Sequence, residues 1–522
     1  MAEQTINILQ IGQENWSQSF SIPQNLNWIH YEQSDISDFL EQQNQLNDES
    51  QEKNKKEKVS YQALVLSDHS LGDDITLLSD LFSAYEVFYS ELALTESEKA
   101  HQFLLQKMGQ PFKDDTIEAL IKQFEKGLFV GQYGAKLPVT DLQFSSQFLG
   151  TISMQGHAYA DLKGNFGPDF QEIADFPFNV PYANDKFLDL FLETQIAETC
   201  RLKMVVSLIP NGSVGNVVKE WVFDQEALKN PLLIDADQSG VLHIQLLAKG
   251  FGQLKIGPLH YRWSRNGLGE FLLGGQRFAD DNGQEFMTYF DPADFKPPLC
   301  VYFSDFRSAE GFEGYWMMKS LGTPFLLLCD PRLEGGSFYI GSESYEAAIV
   351  KKIQETLDFL GFTSDQLILS GLSMGTYGAI YHGTKLKPHS IIVGKPVLNM
   401  GSVAQSERVK RPGGFPTALD IQQVYYDSLD EKASKAFDDR IWNQFQLADF
   451  SHTKFIVAYM KDDDYDHTGF SDLLKHLEAS PQNIVGRGWQ GRHDDAASEV
   501  PAWFITQYRN LISHDFNRKF NE

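Results

Sequence analysis

The chain has 522 residues, 42% of them hydrophobic, enough for about three domains with substantial cores, which excludes a small scaffold held by disulfides or metal. Its 71 acidic residues outnumber 44 basic ones for a formal net charge of −27, a balance that repels polyanions and argues against non-specific binding to nucleic acid or anionic membranes. Cys200, Cys300 and Cys329 fit neither a disulfide framework nor a zinc spacing and read as buried thiols.

No basic stretch precedes an apolar one at the N-terminus, and the run from Ile6 to Ile11 is broken by Asn7 and Gln10, so no signal peptide is expected. No run approaches the roughly 20 apolar residues of a membrane span, and the expectation is a cytoplasmic protein without a transmembrane segment.

Ile6 to Gly12 and Tyr61 to Ser67 read as strands of a small α/β unit. Between them, Glu41 to Lys58 holds Leu46 as its one aliphatic residue. Such a stretch cannot bury enough surface to offset the entropy of ordering, so a disordered or mobile loop is expected. From Thr76 to Phe129 apolar residues such as Leu77, Leu78, Leu81, Phe82 and Tyr85 recur at helical spacing, which predicts a mainly helical segment. Nothing in residues 1–135 suggests chemistry.

Over residues 136–296 short alternating runs are separated by glycine, proline and asparagine, the texture of an all-β sandwich. Lys186 to Thr194, Leu202 to Ile209, Val241 to Ala248 and Gln253 to Trp263 are its clearest strands. A carbohydrate-binding jelly roll, with Tyr261 and Trp263 stacking on a sugar, is one reading; aromatics serving as core or domain contacts is the stronger one.

After Lys296-Pro297-Pro298 the pattern changes again, and residues 297–522 form the third expected domain. Strands at Leu299 to Ser304, Pro324 to Cys329, Gln366 to Ser370, Ser390 to Val393 and Lys454 to Met460 alternate with helices at Tyr345 to Leu360 and Gly469 to Ala479. That alternation predicts a parallel sheet covered on both faces.

The strand ending at Ser370 runs into Gly371-Leu372-Ser373-Met374-Gly375 and then into a helix-permissive stretch. This is the setting of a nucleophile elbow, in which a tight strand-to-helix turn exposes the serine hydroxyl at the edge of an α/β-hydrolase sheet. A serine needs a base, and the base needs a third group to fix its tautomer. Downstream, the strand ending at Met460 leads into Lys461-Asp462-Asp463-Asp464-Tyr465-Asp466, and His493 follows one unit later, in the hydrolase order of serine, acid and histidine.

The acid is favoured at Asp463, a few residues past the strand, with Asp464 and Asp466 next. A calcium loop is disfavoured because His467 stands where glycine is needed and Leu473 where the bidentate glutamate belongs. His382, His452, His467 and His476 read as ordinary histidines. The oxyanion donors are expected to be the amides of Met374 and, from the loop after the first strand, Phe306. Arg307 and Arg332 could orient substrate or form structural ion pairs. No phosphate loop or other cofactor signature appears, so no cofactor is expected, and no metal site.

Leu369 to Ala379 (LSGLSMGTYGA), Asp330 to Gly336 (DPRLEGG), Gly394-Lys395-Pro396, Tyr459 to Asp466 (YMKDDDYD), Gly491-Arg492-His493-Asp494 and the opening Ile8 to Gly12 with Trp16 together resemble the second Asp protein family of the bacterial accessory Sec system. The resemblance implies a carbohydrate O-acetyltransferase that modifies N-acetylglucosamine on serine-rich-repeat glycoprotein adhesins and takes part in their export. It implies Ser373 as acetyl-accepting nucleophile, Asp463 as acid and His493 as base. It implies as partners two sister accessory secretion proteins, the accessory SecA motor ATPase and the glycosylated adhesin, and a place in the cytoplasm or at the inner face of the membrane with the translocon. Asp305 departs from the pattern, standing where a small residue is expected after Ser304. The rival readings are a carbohydrate esterase with the same three residues and a non-catalytic scaffold or chaperone of the secretion complex.

Overall fold

The computed structural model describes residues 5–52, 60–213, 215–477 and 484–520. Its first layer is a five-stranded parallel sheet in the order Leu26–Tyr31, Ile6–Ile11, Ala63–Leu66, Val87–Ser90 and Gln110–Phe112. The central strand Ala63–Leu66 is buried along its whole length, as a parallel strand covered on both faces must be. Two of these strands lie inside the stretch expected to be helical. That stretch does carry the helices Glu98–Gln106 and Ile117–Gly127, but the β-branched and aromatic Val87-Phe88-Tyr89 prefers a pleated surface.

The loop expected at 41–58 is also corrected. The helix Ile36–Glu52 runs through its first two thirds, while residues 53–58 lie outside the described residues. Buried Ile36 and Phe39 anchor its first turns. The continuation is rich in Glu and Gln, residues of good helix propensity.

Residues 134–264 form one continuous nine-stranded antiparallel sheet. Two long strands, Tyr159–Tyr182 and Gly240–Ser264, pair from Ala160 opposite Ile256 to Tyr182 opposite Gly240. The other side of Gly240–Ser264 is shared, with Cys200–Pro210 along its first half and Phe187–Ile196 along its second. The change of partner falls at Gly250 and Gly252, whose φ values of 96° and 130° lie where side chains are strained. A Cβ on Gly250 would also meet the Thr199 carbonyl oxygen at 2.2 Å. The runs 241–248 and 253–263, expected as two strands, are therefore one bent strand whose two halves pair with different neighbours and contribute to one core. Trp263 packs on Phe129 and Tyr133 with ring centroids 5.5 and 5.0 Å away, as a contact aromatic does.

The third sheet has eight strands in the order Gln276–Ala279, Glu285–Asp291, Phe325–Cys329, Leu299–Phe303, Leu367–Leu372, Ser390–Gly394, Lys454–Met460 and Ile484–Trp489. The last six are mutually parallel; the first two join antiparallel. Both precede the cis Pro297-Pro298 bond, so the boundary expected at 296 does not part the sheets. The wholly buried Phe325–Cys329 strand would otherwise present a bare apolar edge, and the chain before the prolines supplies its partner.

Alternate residues face opposite layers, as the two-residue period of a strand requires. Val301, Phe303 and Leu369 pack with Tyr345 and Ile349 of the helix Glu343–Leu360 and with Tyr377 and Ile380 of the helix Met374–Leu386. Cys300, Tyr302 and Ile368 pack with Phe504 and Tyr508 of the helix Glu499–Asp515. All three cysteines are buried and free.

A buried ionic network joins the middle sheet to the third. Arg262 donates to Glu310 and Glu285, Arg277 donates to Glu285 at 2.6 Å, and His260 bridges Glu310 and Glu193, lying 2.9 Å from the latter. Burial opposes the charge of Glu285, yet Arg262 and then Arg277 hold its carboxyl down to about 2. Its stabilising effect is complete above the ordinary carboxylate pKa of 4.5 and is lost as pH falls towards about 2. Arg262→Ala leaves two carboxylates buried with a lost partner and is expected to cost about 3–5 kcal/mol, read as a lower urea midpoint. A midpoint equal to wild type would contradict this.

Candidate active site

The carboxyl ends of Leu299–Phe303, Leu367–Leu372, Ser390–Gly394 and Lys454–Met460 line up in register, and the turns that follow them make the site. Ser373 sits between its strand and the helix Met374–Leu386 with φ 45° and ψ −113°, a conformation costly for a side chain and typical of a strained functional turn. The flanking glycines make the turn possible. A Cβ on Gly371 would meet Gly375 backbone atoms at 2.4 Å, and one on Gly375 would meet the Phe303 carbonyl oxygen at 2.1 Å. The Ser373 N–H donates to the Gly394 carbonyl at 2.8 Å, tying the turn to the next strand.

Ser373 Oγ lies 2.9 Å from His493 Nε2, and His493 Nδ1 lies 2.8 Å from Asp463 Oδ2. His493 and Asp463 are buried, and Ser373 is half-buried. Asp463 Oδ1 accepts the N–H groups of Tyr465 and Asp466 at 2.9 and 3.2 Å, which aims Oδ2 at the imidazole. The Tyr465 ring closes edge-on against His493, centroids 4.5 Å apart.

The neighbouring acids do different work. Asp464 accepts the backbone N–H of His493 at 3.0 Å and pairs with Arg492 and, at 3.3 Å, with Arg411. Asp466 is buried and accepts the N–H groups of Leu398 and Asn399 at 2.7 and 2.8 Å, pinning the turn after Ser390–Gly394. Among the described residues no group of side chains could hold a metal ion.

The other histidines are elsewhere. His382 is fully buried, stacks on Phe303, and burial lowers its pKa to about 4. His452 and His467 are exposed, and His476 packs edge-on against Trp442 with centroids 4.4 Å apart. Neither arginine faces the serine: Arg332 pairs with Asp330 at 2.7 Å, and Arg307 donates to the Phe312 carbonyl at 3.0 Å.

A cavity of about 520 Å³ opens over Ser373 and His493. Phe306, Phe338, Phe415 and Val397 give it apolar walls, while Glu334, Lys395 and Asp494 bring charge, the mixture that holds and orients a small polar ligand. The amides of Met374 and Phe306, the expected oxyanion donors, both donate to Oδ1 of Asp305, at 3.0 and 2.6 Å. The sequence flagged Asp305 as unusual; its position between two backbone donors has no signature in the chain. The contacts of Tyr465 with His493 and of Asp466 with the Leu398 and Asn399 amides likewise have no signature in the chain.

A family model described as the accessory Sec system GspB-transporter matches residues 6–518. The chain is 38% identical over 515 residues, 98% of its length and 99% of the relative's, to the second Asp protein of the accessory Sec system of Streptococcus gordonii. It is 39% identical over 452 residues, 86% of each chain, to the protein of the same description from Staphylococcus aureus. A solved chain of the Glycosylation Associate Protein (Gap123) complex from Streptococcus agalactiae superposes with a TM-score of 0.96 at 49% identity, covering 99% of this chain and 100% of that one. Among the described residues no helix is long and apolar enough to cross a membrane.

Proposed function

The chain belongs to the family of the second accessory Sec system Asp protein, and from that premise we propose that it is a carbohydrate O-acetyltransferase of the α/β-hydrolase kind. Its acceptor is N-acetylglucosamine on serine-rich-repeat glycoprotein adhesins passing through accessory Sec export. The observation that carries this reading is the unbroken hydrogen-bonded line from Ser373 through His493 to Asp463 at the mouth of the cavity.

In the proposed reaction Ser373 Oγ attacks the acyl carbon of the donor while His493 Nε2 takes the hydroxyl proton. The imidazolium, held by Asp463, then returns that proton to the departing group, leaving an acetyl ester on Ser373. A sugar hydroxyl enters, gives its proton to His493 and takes the acetyl group, and the proton passes back to Ser373. Transfer must outrun hydrolysis. A hydroxyl fixed in near-attack geometry reaches effective molarities of about 10⁵ M or more, which outcompetes water. Glu334, Lys395 and Asp494 are the charged groups of the cavity wall against which the hydroxyl would be held.

In the same reading the chain works with two sister accessory proteins, the accessory SecA motor ATPase and the adhesin, in the cytoplasm or at the inner face of the membrane. The full-length likeness to a chain of the Gap123 complex supports the first of these partnerships.

The test is to incubate purified protein with an acetyl donor and an N-acetylglucosamine-bearing glycopeptide, and to weigh the glycopeptide by mass spectrometry while free acetate is measured. Acetylated glycopeptide in excess of acetate is expected. Acetate alone would make the protein an esterase, and neither product from folded protein would favour the scaffold.

A further inference from the structure

The oxyanion site is already full. The Met374 N–H donates to Asp305 Oδ1 at 3.0 Å, and the Phe306 N–H donates to the same oxygen at 2.6 Å. One donor comes from the turn after the serine, the other from the loop after Leu299–Phe303, the two places that supply oxyanion donors in α/β-hydrolases, and both line the cavity with Ser373. A resident carboxylate oxygen now takes both hydrogen bonds.

Asp305 is held in this position from behind. Its own N–H donates to Glu313 Oε2 at 2.8 Å; Tyr302 Oη donates to that oxygen at 3.2 Å, and the Glu313 N–H donates to Ser304 Oγ at 3.2 Å. The setting is electrically unkind to it. Burial, followed by the charge of Glu313, pushes the Asp305 carboxyl up to about 6, against the pull of the two amides and His493. Lys395 lines the same cavity but donates to the Asp495 carbonyl at 2.8 Å. Among the described residues no cation pairs with Asp305, so two backbone amides hold a carboxylate that no ion pair anchors.

Resting on the reading of Ser373 as the acyl-accepting nucleophile, we propose that Asp305 is an internal occupant of the oxyanion site, which keeps the enzyme nearly inert towards small acyl compounds until a bound substrate displaces its carboxylate. A tetrahedral oxyanion and the Asp305 carboxylate cannot share the same two N–H groups, because two negative oxygens would then sit side by side. Any acyl compound that reaches Ser373 without moving Asp305 loses those donors. Loss of one such donor costs about 10²–10³ in rate in another serine enzyme. Wasteful hydrolysis of the donor is thereby suppressed, and the free amides are delivered when the full substrate is seated.

The experiment uses the full chain and a fluorophosphonate probe. Ser373 Oγ forms a bond to phosphorus, fluoride leaves, His493 takes the serine proton, and the phosphonyl oxygen must enter the oxyanion site. Labelling rates are compared for wild type, Asp305→Ala, Asp305→Asn and Ser373→Ala, with circular dichroism as the check on folding. Asp305→Ala is expected to label at least about tenfold faster than wild type. Asp305→Asn, which keeps an accepting oxygen without the charge, is expected to fall between them, and it carries the test if the alanine variant fails to fold. Folded variants that label no faster than wild type, with labelling still dependent on Ser373, would overturn the occupant alone. Labelling that survives Ser373→Ala, or is absent from every protein, would overturn the nucleophile reading and the occupant with it.

Discussion

Ser373→Ala is expected to reduce acetyl transfer by about 10⁶-fold while leaving the urea midpoint close to that of wild type. The size of the loss follows from what the hydroxyl does: without Oγ no acetyl ester forms, and the cavity can only bind. Stability should barely change. The one side-chain hydrogen bond lost is to His493, the N–H to Gly394 remains, and alanine bears the backbone at φ 45° about as poorly as serine. The measurement is acetylated glycopeptide by mass spectrometry beside a denaturation curve. Undiminished acetylation in a folded variant would remove Ser373 from the reaction.

Asp463→Asn is expected to lower the rate by about 10⁴-fold through the wrong tautomer. Two backbone N–H groups, from Tyr465 and Asp466, face Oδ1, so the side-chain oxygen of asparagine stays there and its NH₂ group turns to the imidazole. His493 Nδ1 must then accept, its proton moves to Nε2, and Nε2 can no longer take a proton from Ser373. Asp464→Asn is the control. It weakens surface pairs with Arg492 and Arg411, each worth about 1 kcal/mol or less, and should cost under about tenfold. Equal losses in the two variants would put the acid assignment in doubt.

Much of the third sheet was legible because parallel strands buried on both faces are nearly continuous apolar runs, and Phe325 to Cys329 or Phe455 to Met460 can be little else. The serine turn was legible for a related reason: glycines at 371 and 375 are forced by backbone contact, which leaves a trace in sequence. Distance past the strand favours Asp463 over Asp464 and Asp466 without deciding among them; the contact of Asp463 with His493 Nδ1 appears only in the fold. What was lost depends on contacts between remote residues. The strand Val87–Ser90 carries a β-prone Val-Phe-Tyr run only four residues long inside a stretch of helical spacing, and its partners at Ala63–Leu66 and Gln110–Phe112 lie elsewhere in the chain. The single bent strand Gly240–Ser264 was split in two because Gly250 and Gly252 look like a turn until the neighbouring strands are seen on both sides. The helix beyond residue 41 has no apolar stripe to mark it in the sequence; its Glu and Gln residues contribute helix propensity alone.

The pairing of Glu285–Asp291 with Phe325–Cys329 across the proline pair bears on how the protein can be dissected. A fragment begun at Leu299 would strip the seal from five consecutive buried residues and invite fibrous or amorphous self-association. Recombinant work on the serine-bearing half therefore has to start upstream of Gln276, and a start between Trp263 and Gln276 still severs Arg262 from Glu285 and Glu310.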